Sequence, residues 1–179
     1  MLLWGGAAYG GARERNWAGW SVLALTGLVW FLLEGAIAGG TWMDAVAPNT
    51  WAALATETDF GSAWLIHLTL VTGLGLAIWR RRAVATLAAF ALGSLALTGH
   101  AAMDNGWFGR LHEANAALHL ICAGYWVGAL PSVLGDLSGP PAAEAMGRLI
   151  RFSRRGHVAV TGVLLTGIAN TALVLHRMP

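Results

Sequence analysis

Lysine is absent from this sequence, and all 11 of its basic residues are arginine. Charge of either sign is scarce, at 11% of 179 residues, against roughly a quarter in an ordinary soluble domain. That excludes a water-soluble globular chain. The single cysteine, Cys122, excludes an intramolecular disulfide and any CxxC metal or redox motif. No P-loop, GxSxG or HExxH occurs, so nothing signals a nucleotide enzyme or a hydrolase, and the expectation is a protein that is not an enzyme. A formal net charge of +2 does not make a nucleic-acid surface either.

What is present is apolar. Hydrophobic residues make up 56% of the chain, with 24 glycines and 10 tryptophans. Small residues let spanning helices approach closely, and tryptophan belongs partly at the bilayer interfaces. The fold class expected is all-α: a single polytopic transmembrane bundle over residues 1–179. The opening MLLWGGAAYG has its positive charges after the apolar run, the reverse of a secretory signal. It is too short to span and reads as the tail of a helix whose beginning is absent.

Five stretches match the requirement of about 20 residues per spanning helix: 17–39, 63–79, 83–100, 113–134 and 157–175. Arg13 and Arg15 precede the first, Arg80, Arg81 and Arg82 separate the second and third, and Arg148, Arg151, Arg154 and Arg155 precede the fifth. In an alternating chain these fall on one face, which the positive-inside rule makes cytoplasmic. Only Arg110 and Arg177 fall on the other face, with Asp44, Glu57 and Asp59.

Topology then sorts the histidines. His67, His100, His112, His119 and His176 gather in the outer part of the membrane or just above it, and only His157 lies on the arginine side. On the fourth span His112, Asn115, His119 and Cys122 fall at i, i+3, i+7 and i+10, one helical face continued by Trp126. This polar stripe runs about 15 Å along the helix. Lipid penalises it, so it should face the bundle interior. On the third span Ala85, Ala89, Gly93 and Ala96 form a stripe of small residues ending in His100, which should point at the fourth helix across a short hairpin. His100, His119 and His112 form the candidate metal site, with Met103 as a soft auxiliary.

Imidazole with a nearby thioether suits copper, while zinc and haem iron also accept imidazole. Two readings stand beside each residue. His67 is either a ligand or the hydrogen-bond partner of a carbonyl or hydroxyl across a helix pair. His112 and His176 lie at the water boundary, where histidine is more often solvated than ligating. Cys122 reads as a small core residue before a thiolate ligand. Glu34, within the first span, binds a passing cation, relays a proton or bonds a neighbour. Gly162, Thr166 and Asn170, at i, i+4 and i+8, read as packing glue without chemistry. A second function class is a b-type haem protein carrying electrons, with His67 and His119 as axial ligands on neighbouring helices.

The stretches LALTGHAA (95–102), ANAALHLICAGYWVGALPSVL (114–134), RFSRRGHVAVTGVLLTGIANTAL (151–173) and DFGSAWLIHLTL (59–70) resemble the copper resistance protein D family, CopD or PcoD. The resemblance implies a multi-helix inner-membrane protein of copper uptake or copper resistance, working beside a periplasmic copper carrier of the CopC type. His100 and His119 match the family's recurrent histidines. Longer relatives carry further helices at both ends, which this chain is expected to lack.

Overall fold

The computed structural model describes residues 1–9, 13–98, 106–139 and 143–175. His100, Met103, Asp104 and His176 lie outside the described residues, as do the side chains of Arg13 and Arg15. Among the described residues there are seven α-helices and no strand: α1 (Leu2–Tyr9), α2 (Arg13–Gly39), α3 (Pro48–Glu57), α4 (Asp59–Arg80), α5 (Val84–Gly93), α6 (Gly106–Ser138) and α7 (Ala143–Leu175).

Four of them, α2, α4, α6 and α7, are long and apolar enough to cross a membrane. The expected third span differs. Helix α5 stops at Gly93 and tightens into a 3-10 helix over Ser94–Thr98, giving one shorter apolar helix over Val84–Thr98. At the break the Ser94 hydroxyl donates to the Ala91 carbonyl at 2.8 Å, the local side-chain competition that disfavours serine inside helices.

Helix α3 was not expected. Pro48 sits at its first turn, where a missing N–H costs nothing. Between α2 and α3 the chain turns at Gly40, whose φ of +90° requires glycine. Thr58 then caps α4, its hydroxyl oxygen accepting from the Gly61 amide at 2.9 Å.

Tryptophan–glycine pairs dock α2 on α4 in both directions. The Trp20 indole lies over Gly75, where an added Cβ would stand 3.1 Å from the ring, and Trp64 lies over Gly27 at the same separation. Trp20 Nε1 also donates to the Val71 carbonyl at 2.8 Å. Helix α1 docks on α6 by backbone approach: a Cβ on Gly5 would collide with the Gly128–Ala129 backbone, and Trp4 Nε1 donates to the Ile121 carbonyl at 2.7 Å. Trp42, Trp79 and Trp107, near helix ends, are exposed, as interfacial tryptophans should be. Helix α5 stands between α4 and α6, in contact with both, and α7 packs along α6. Much of the outer surface of α2 and α7 is leucine, isoleucine and valine, suited to lipid.

Candidate metal site

The polar stripe of α6 does face inward, and what it meets is α7. Asn115 Nδ2 donates to Asn170 Oδ1 at 2.7 Å and to the Thr166 carbonyl at 2.9 Å. One turn deeper, His119 Nδ1 lies 2.8 Å from Thr166 Oγ1. Cys122 completes the match by packing on Gly162, where an added Cβ would stand 2.6 Å from Sγ. The i, i+3, i+7, i+10 stripe of α6 thus pairs with the i, i+4, i+8 stripe of α7. Asn115 and His119 find their hydrogen-bond partners across the interface.

Counting protons fixes the tautomer of His119. Thr166 Oγ1 lies 2.6 Å from the Gly162 carbonyl oxygen, a contact that needs the hydroxyl hydrogen between the two oxygens. The hydroxyl has one hydrogen, so its oxygen accepts from His119 Nδ1–H. With that assignment Nε2 carries the lone pair of the neutral ring, and no described residue beyond Thr166 bonds the ring. This is the arrangement in which metal-binding imidazoles are held: one nitrogen anchored to a fixed acceptor, the other offered.

His112 is buried, at 5% exposure, which corrects the expectation of a solvated ring at the water boundary. Helix α6 begins at Gly106, so His112 lies within it, about 9 Å along from its start, and not ahead of the helix. Seven residues separate it from His119, about 10.5 Å of rise. Trp126, expected to continue the stripe, is 42% exposed and lies off the inward face. Glu34 is half-buried on α2, without a hydrogen bond or ion pair among the described residues. Among the described residues no three side chains of His, Cys, Asp and Glu gather as a metal-binding group.

The small stripe of α5 does pack on α6: an added Cβ at Gly93 would meet Ile121 and Ala117 at 3.3 and 3.8 Å. His119 is two positions from each of them, about 200° around the helix, and so points away from α5 towards α7. His100, its expected partner at the end of the third span, lies outside the described residues. His67 is buried between α4 and the 3-10 helix, with Nδ1 2.8 Å from Ser94 Oγ. Of the pair named for a haem iron, His67 is thus held against Ser94 and His119 against Thr166 of α7.

At the arginine end, Asp136 on α6 accepts from Tyr9 Oη at 2.6 Å and from Arg148 Nη2 and Nε at 2.6 and 2.9 Å. Burial first, and then the bond to the Asp136 carboxylate, push the Tyr9 phenol up to about 12. Sequence reading missed this junction; an aspartate near the end of a spanning helix, 12 residues before an arginine, was the available signal.

The family model for Copper resistance protein D-like, N-terminal domain, matches residues 1–111. The chain is 37% identical over 172 residues to Inner membrane protein YebZ of Escherichia coli (strain K12), covering 90% of this chain and 57% of that protein. It is 31% identical over 209 residues to Copper resistance protein D of Pseudomonas syringae pv. tomato, covering 98% of this chain and 66% of that protein. The chain therefore spans between about half and two thirds of these relatives' lengths. No solved structure matches.

Proposed function

The chain belongs to the copper resistance protein D-like family, and from that premise we propose a multi-pass inner-membrane protein that binds copper at its histidine end and takes part in copper import or resistance. Copper is cargo here, bound and passed on without chemical transformation. The observation that carries the reading is His119, held by Thr166 in the tautomer that offers Nε2. Imidazole nitrogen suits either oxidation state of copper, and a thioether such as Met103 suits the reduced ion.

His112 and His119 are read as successive stations, since about 10.5 Å of helix separates them and each ring is held at its own depth. The outer station, His112, is the nearer to the segment joining Thr98 to Gly106, which carries His100 and Met103. With the nine arginines of the other end on the cytoplasmic side, the stations open towards the periplasm, where a carrier of the CopC type would deliver copper.

Copper titration of the purified protein tests the reading. His100→Ala and His119→Ala are each expected to weaken copper binding by at least about tenfold, as loss of one ligand does. Unchanged affinity in both variants would remove the site.

A further inference from the structure

The stations at His112 and His119 leave the buried imidazole of His67 unused. His67 is 3% exposed. Its Nδ1 faces Ser94 Oγ at 2.8 Å, and that hydroxyl is itself 2.8 Å from the Ala91 carbonyl oxygen. With the single hydroxyl hydrogen on the carbonyl, Nδ1 is the donor to Ser94, and Nε2 carries the lone pair of the neutral ring. The Ala91 carbonyl also accepts from the His67 ring, and no described residue beyond Ser94 and Ala91 bonds that ring. Nε2 is the ring nitrogen away from Ser94, and the ring lines a cavity.

The cavity that His67 lines has a volume of about 330 Å³ and lies between α2, α3 and α4. Phe31, Trp51 and Trp64 give it aromatic walls, and His67 is its only side chain with a lone pair to offer. Leu28, Leu65 and Leu68 also line it and are about half exposed on the outside of the bundle. Entry is therefore from the lipid. The Trp64 and His67 rings lie 5.3 Å apart, tilted by 30°, so the indole borders the nitrogen.

We propose that this cavity binds a membrane-dissolved phenol or hydroquinone, whose O–H donates to His67 Nε2 while its ring lies against the aromatic wall. A copper ion would want further nitrogen or sulfur donors, and the lining contains no methionine, cysteine or carboxylate. A purely apolar occupant, such as an acyl chain, would leave Nε2 unpaired in a dry site, a costly arrangement. The volume is at the small end of the range of about 300–1,000 Å³ for small-molecule sites, which fits one substituted ring.

Calorimetric titration of the full chain in detergent micelles, with empty micelles as the blank, tests this with methylhydroquinone and its dimethyl ether. The ether keeps the ring but replaces both O–H donors with methoxy groups, and the hydroquinone is expected to bind about tenfold more tightly despite its smaller apolar surface. His67→Phe should erase that preference. Ala24→Phe fills the cavity from α2 with His67 intact, and it should abolish binding of both compounds while leaving copper binding unchanged. Equal affinity for the two compounds, no binding of either, or binding that survives Ala24→Phe would overturn the proposal.

Discussion

A single hydroxyl hydrogen decides what His119 can do. Thr166 spends it on the Gly162 carbonyl and so must accept from the ring, leaving Nε2 for a metal. Thr166→Val keeps the volume and removes the acceptor. Copper affinity is then expected to fall by about 10- to 100-fold, the usual cost of losing a ligand's orienting partner, while Thr166→Ser restores it. Titration of the two variants side by side checks this, because a merely structural threonine would not distinguish copper affinity so sharply between them. The stripe of His112, Asn115, His119 and Cys122 was legible from spacing, since 3.6 residues per turn put those positions on one face. Thr166 was legible only as packing glue. That it orients an imidazole depends on which helix lies opposite, and no local pattern carries that. His112 illustrates the same limit: it lies within a helix that starts several residues before the apolar run does.

At the scale of helices, the α6–α7 pair is a zipper of small and polar side chains. A leucine at Gly162 would drive into Cys122 and part the two stripes. Gly162→Leu should cost about 1–3 kcal/mol, as overpacking does, and should weaken copper binding as well by pulling Thr166 from His119. Thermal unfolding in micelles with a parallel copper titration reads both effects. The turn between α4 and α5 offers a converse case. Arg81 adopts a left-handed conformation with φ of 57°, which costs a non-glycine residue about 1–2 kcal/mol. Arg81→Gly should therefore raise the unfolding temperature, as the same measurement would show. The long apolar runs made α2, α4, α6 and α7 visible in the sequence, because a spanning helix must be apolar over most of its length. Helix α3 was missed because ten residues are too few for that signal. The ending of α5 at Gly93 was missed because Ser94 is one polar residue in an apolar run, and its effect comes from a hydrogen bond that a hydropathy pattern does not register.

For the whole molecule, the two ends have different tasks. The arginine end is tied by the junction of Tyr9, Asp136 and Arg148, which joins α1, α6 and α7. The Tyr9 phenol is pushed up to about 12, whereas an exposed tyrosine ionises near 10. An unfolded chain gives up that proton first, so the contribution of Tyr9 is complete below about pH 10 and is lost as pH rises towards 12. Unfolding temperature should fall across that window in the wild type, with a smaller slope in Tyr9→Phe; identical slopes would show that the junction does not hold the fold.

The opposite end carries the proposed copper stations, His112 and His119 on α6. X-ray absorption at the copper edge of the metal-loaded protein tests this most directly. Imidazole scattering is expected in the wild type, with a distinct loss of that scattering in each of His112→Ala and His119→Ala. A spectrum of oxygen donors alone, or one that neither substitution alters, would contradict it.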